Sequence, residues 1–162
     1  MASLLPLNGL LGHRRAAHLL RRASFRYTKA RVDQLAGMTA AEAVASLLVT
    51  PPLQMDQPVY DDPDTPEIEN IAWLLPTNQP LPDGQPALRR YVTGWWLHEA
   101  LHDPGITHRM ALFFHQFLTV GILAFGNQHY FDYLRLLRWG ALGNFKKLAL
   151  KMVTDNSMLL YL

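Results

Sequence analysis

Apolar positions recur along most of this chain at the three-to-four-residue spacing of one helical face, which predicts a series of amphipathic helices. Over residues 13–23, Ala16, Ala17, Leu19 and Leu20 lie opposite a basic face. A second helix is capped by Thr28, carries Val32, Leu35 and Ala36, and stops at Gly37. Thr39 with Glu42 reads as a capping box, in which hydroxyl and carboxylate satisfy the free amides of a third helix through Val44, Leu47 and Leu48. Pro51 and Pro52 end it. After residue 86 the pattern returns as helices over 87–102, 107–118, 128–139 and 144–154, with Thr107 and Asn144 as starts. Alternation at strand spacing is nowhere convincing. The fold class expected is all-α, an irregular multi-helix domain over 1–162 with a long Pro-rich surface loop.

That loop is residues 51–86. Nine of the eleven prolines fall there, beside Asp61, Asp62, Asp64 and Glu67, and a chain so interrupted runs over a surface. One short helix, 67–75, is expected within it. The segment 157–162, Ser-Met-Leu-Leu-Tyr-Leu, is strongly apolar. Leu159, Leu160 and Leu162 are therefore expected to lie against this chain or another polypeptide, and the polypeptide is expected to continue.

Composition narrows the function classes. With 49% hydrophobic and 17% charged residues the chain is globular rather than disordered. A net charge of +2, with cations scattered apart from the short clusters His13-Arg14-Arg15 and Arg21-Arg22, argues against nucleic acid, because such binders gather Lys and Arg on one face. There is no cysteine, so disulfides and thiolate metal sites are excluded. No apolar run approaches the ~20 residues of a membrane-spanning helix, and the first residues have no basic stretch of a signal peptide.

Four blocks carry a resemblance. His18, Leu20, Arg22 and Phe25 follow H-x-L-x-R-x-x-F, and Trp95-Trp96-Leu97 comes next. Met110, Leu112, Phe113, Phe114, His115 and Gln116 look like M-x-L-F-W-H-N. Ala141-Leu142-Gly143-Asn144-Phe145, with Asp155, Met158, Leu159, Tyr161 and Leu162, looks like A-L-G-N-F and D-x-x-M-L-x-Y-L. In this order the blocks resemble the domain-of-unknown-function 1800 family. Phe117 stands where that family usually has a second histidine, and Arg26 where it has a small residue. The resemblance implies the N-terminal portion of a longer family domain and a periplasmic or extracellular location. It also implies partners in the remainder of its own chain or another protein chain, including a sulfatase-like protein. It implies no particular activity.

One string reads as chemistry. His98, Glu99, His102, Gly105 and His108 match H-E-x-x-H-x-x-G-x-x-H, the zinc signature of metzincin peptidases. Histidines at i and i+4 share a helical face, the glutamate can activate bound water, and the glycine lets the third histidine fold back. Zinc is thus the one cofactor the sequence offers, and a zinc-dependent metallohydrolase or peptidase, with Glu99 catalytic, is the alternative to a helical association module. Ala100 and Pro104 fit that motif poorly, and Thr107 as a helix cap would carry His108 away from His98 and His102. No zinc is then expected, with Glu99 and Asp103 pairing nearby cations instead. Two further polar candidates are His18 with Arg21 and Arg22, either an anion site or a buried hydrogen-bonded histidine with ion-paired arginines, and His115, read as a satisfied core residue. Trp95, Trp96, Phe113, Phe114, Tyr130, Phe131 and Tyr133 are read as core.

Overall fold

A computed structural model describes residues 7–49, 56–60, 71–74, 85–121 and 126–162. Among these the chain forms eight helices and one antiparallel pair of two-residue strands. The helices are α1 (Gly12–Ala23), α2 (Lys29–Ala36), α3 (Ala40–Leu47), α4 (Gln85–His102), α5 (Thr107–His115), α6 (Asn127–Gly140), α7 (Phe145–Val153) and α8 (Asn156–Tyr161). The strands are β1 (Val59–Tyr60) and β2 (Ile71–Ala72), with Val59 opposite Ala72 and Tyr60 opposite Ile71. The protein is predominantly α, as its periodicity predicts.

Four of the eight starts follow from side-chain caps. The Arg31 amide donates to Thr28 Oγ1 at 3.2 Å. Thr39 and Glu42 form the reciprocal box, with the Thr39 amide donating to the carboxylate at 2.8 Å and the Glu42 amide to the hydroxyl at 3.3 Å. The Lys147 amide donates to Asn144 Oδ1 at 3.1 Å. Two expectations need correction, and one helix stands outside those expected. Ile71 and Ala72, placed in a helix over 67–75, pair as a strand, and Trp73 and Leu74 after them are not helical; residues 67–70 and 75, like most of the Pro-rich stretch 51–86, lie outside the described residues. The apolar end is a capped helix, α8, whose Ser157 and Met158 amides donate to Asp155. Thr107 does not cap α5: it is the first helical residue, and Ile106 holds the cap position.

Two hydrophobic cores result. The first packs Leu11, Ala16, Leu20, Ala23, Leu35, Ala36, Ala43 and Leu47 among α1, α2 and α3. The second gathers α4 to α8 and the strands around Tyr60, Trp73, Phe114, Tyr130, Phe131, Tyr133, Leu137 and Leu148. They meet where the α4–α5 turn reaches α3. The Ile106 amide donates to the Leu47 carbonyl at 3.1 Å, and the Ile106 side chain packs into the first core. A β-carbon on Gly105 would stand 2.7 Å from that same carbonyl oxygen, so only glycine fits the approach. Arg109 adds a bond to the Ser24 carbonyl at 3.1 Å and lies over the Phe25 ring.

Candidate functional site

The metzincin-like string lies in this joint. His98, Glu99 and His102 are on α4, Gly105 is in the turn, and His108 begins α5. Asp103 organises the turn. Its Oδ1 accepts the Gly105 amide at 2.8 Å, and its Oδ2 accepts both the His108 amide and His108 Nδ1, each at 2.8 Å. Burial raises the Asp103 pKa, but the bonds from the His108 ring and from the two amides outweigh it and hold the carboxyl below its ordinary value. His108 is 3% exposed, with the edge of Trp96 beside it and its Nε2 buried without a hydrogen-bond partner.

His98 and His102 are exposed, their rings 4.2 Å apart, and His102 Nδ1 is hydrogen-bonded to the His98 carbonyl at 2.8 Å. A zinc site needs imidazole nitrogens aimed at one point about 2.0–2.1 Å from each. Here one histidine faces Asp103 inside the protein and the other two lie on the surface. Among the described residues no group of three His, Asp or Glu side chains is placed to hold a metal ion. His98, His102 and His108 in this arrangement do not make a donor set that fits zinc. Glu99 and Asp103 act instead on Arg138 of α6, whose pKa burial lowers while the two carboxylates raise it.

The basic candidates divide. Arg21 Nε donates to the Tyr27 hydroxyl at 3.0 Å. His18 and Arg22 line a groove of about 810 Å³ between α1 and the start of α3. His18 is exposed, against the reading of it as a buried hydrogen-bonded residue, because α1 turns Ala16, Leu20 and Ala23 inward and leaves positions 18 and 22 outside.

His115 is satisfied at the edge of the second core. Tyr133 donates its hydroxyl proton to the Leu118 carbonyl at 2.9 Å, so its oxygen accepts from His115 Nδ1 at 2.6 Å. Burial pushes the imidazole pKa down and the phenol pKa well up, which keeps both groups neutral.

A feature that periodicity missed lies beside it. Phe113, read as core, is 52% exposed, and Phe117 and Phe145 are 50% and 51% exposed. Their rings form one cluster, with Phe113 to Phe117 at 5.1 Å and Phe117 to Phe145 at 6.5 Å. Buried Phe114 anchors it, stacked on Phe145 at 5.7 Å. Leu159, Leu160 and Leu162 are also exposed, so the described residues do not cover them, and of the two expected covers only another polypeptide is left. No described helix is long and apolar enough to cross a membrane.

The helical architecture, with its histidine-bearing α5 and its Asn144-capped α7, agrees with the sequence blocks that frame it. The profile of the DUF1800 family, a protein of unknown function, matches residues 18–162, and the chain belongs to that family. No curated protein and no solved structure matches it.

Proposed function

We propose that this chain is a helical module that works by associating with another polypeptide, and that the Phe113, Phe117 and Phe145 cluster is its contact surface. The observation that carries the reading is the exposure of three phenyl rings, Phe117 touching both Phe113 and Phe145, on the surface of a helical fold. Half-exposed rings present on the order of 100 Å² each, so the three together reach the few hundred Å² that mark interaction sites. Capping of α7 and the buried Phe114 hold the rings in place before binding, which lowers the entropy lost on association. Export to the periplasm or beyond, and a sulfatase-like protein as partner, are carried over from the family resemblance. The reading requires no cofactor.

A photo-crosslinking benzoylphenylalanine at position 117, in the full-length protein expressed in its own cells, tests it. The expected outcome is one protein adduct, lost when Phe113→Ser and Phe145→Ser are added and absent when the probe replaces exposed Lys29. Equal labelling from positions 117 and 29, or none from 117, refutes the contact surface. An adduct with a protein that is not sulfatase-like overturns that partner and keeps the association.

A further inference from the structure

The groove between α1 and α3 has an apolar floor and a cationic rim. Leu11, Leu19 and Val44 form the floor, while Arg14, Arg15, His18 and Arg22 form the rim. Helix α1 contains four arginines, two histidines and no acid. None of the four rim side chains has an ion-pair or hydrogen-bond partner among the described residues. The nearby carboxylates are already engaged: Asp33 by Lys29 and His13, and Glu42 by Thr39. The rim is therefore an uncompensated positive field around a concave apolar surface, and field and surface together define what complements them.

We propose that this groove docks an acidic amphipathic helix of a partner protein, its apolar stripe on Leu11, Leu19 and Val44 and its flanking carboxylates on Arg14, Arg15 and Arg22. An anionic membrane fits less well. A helix lying on a bilayer inserts its apolar face, and the apolar face of α1 (Ala16, Leu20, Ala23) is already buried in the first core. Nucleic acid would use the guanidiniums but leave the apolar floor unmatched. An acidic helix in the groove uses both. The assignment rests on the reading of the chain as an association module, but not on the phenyl cluster, which is formed by other helices.

The test uses the whole chain and a fluorescein-labelled peptide with leucines at i, i+3, i+4 and i+7 and glutamates elsewhere, followed by anisotropy. Saturable binding is expected, weakening with ionic strength. Arg14→Glu with Arg22→Glu should weaken it at least about tenfold, with the circular dichroism spectrum unchanged. Val44→Asp should do the same from the floor. A scrambled peptide of equal composition should bind poorly, as should vesicles of mixed phosphatidylcholine and phosphatidylglycerol, and duplex DNA should not compete. No binding, binding indifferent to the charge reversal, or preference for vesicles or DNA overturns the proposal. The position-117 crosslink is read separately: its loss with peptide binding intact removes the phenyl contact and leaves this groove standing.

Discussion

The core of α1, α2 and α3 is packed from alanines and leucines, whereas that of α4 to α8 is packed around tyrosine, phenylalanine and tryptophan. Small residues such as Ala16, Ala36 and Ala43 let short helices approach closely, but each buries little area. Aromatic residues bury far more each and add ring-on-ring geometry, as between Trp95 and Phe131 at 5.0 Å. The first core depends on fine shape and on its joint with the α4–α5 turn, while the second carries most of the buried apolar surface. The functional candidates follow the same division. The aromatic half places surplus rings on its surface, and the alanine-rich half places surplus charge there.

The largest expected effects compare the two cores directly. Phe131→Ala should cost about 3–5 kcal/mol and Leu20→Ala about 2–5, at the lower end because α1 borders an open groove and can settle inward. Trp73, Trp95, Trp96 and Trp139 all lie outside α1, α2 and α3, so tryptophan fluorescence reports the second core and circular dichroism reports both. Coincident urea transitions are expected for the native chain. Separate transitions there would show that the cores fold independently.

An intermediate effect is expected at the joint. Gly105→Ala forces a β-carbon against the Leu47 carbonyl and should cost roughly 1–3 kcal/mol. The two probes should then diverge, with the dichroism signal beginning to fall first. A variant as stable as the native chain would mean that the approach of α3 to the turn contributes nothing.

The smallest effects depend on pH. Burial depresses the folded pKa of His115, so its contribution is complete above the unfolded value of about 6.5 and declines as pH falls towards the folded one. Asp103 is depressed too, by its bonds to His108 and the turn amides, so its contribution is lost only below about pH 4. His115→Gln should flatten the mildly acidic part of the stability profile, and Asp103→Asn the strongly acidic part. If His115→Gln leaves the profile between pH 5 and 6.5 (roughly the histidine range) unaltered, the imidazole is not held neutral by the fold.

Helix positions were legible in the sequence wherever a cap was encoded next to a periodic stripe, as at Thr28, Thr39 with Glu42, and Asn144. The strands were not, because Val59–Tyr60 and Ile71–Ala72 are each two residues long, too short to show alternation. Helix α8 was hidden because six residues give no period, although Asp155 stood ready to cap it. At the candidate site, Pro104 did announce the end of α4. The role of Asp103 was not readable: it caps across five residues to His108, and spacing alone does not distinguish a histidine that ligates metal from one that closes a turn. Periodicity places Phe113 on a helix but not on its inner face.

The bond from the Ile106 amide to the Leu47 carbonyl is one tie between the two cores, beside that from Arg109 to the Ser24 carbonyl, and it is carried by a single backbone proton. If the cores part transiently while each stays folded, that proton becomes free to exchange with solvent at a rate set by the parting alone. The exchange half-life of the Ile106 amide is therefore a clock for the opening of the joint, and Gly105→Ala should make it run faster before any helix melts.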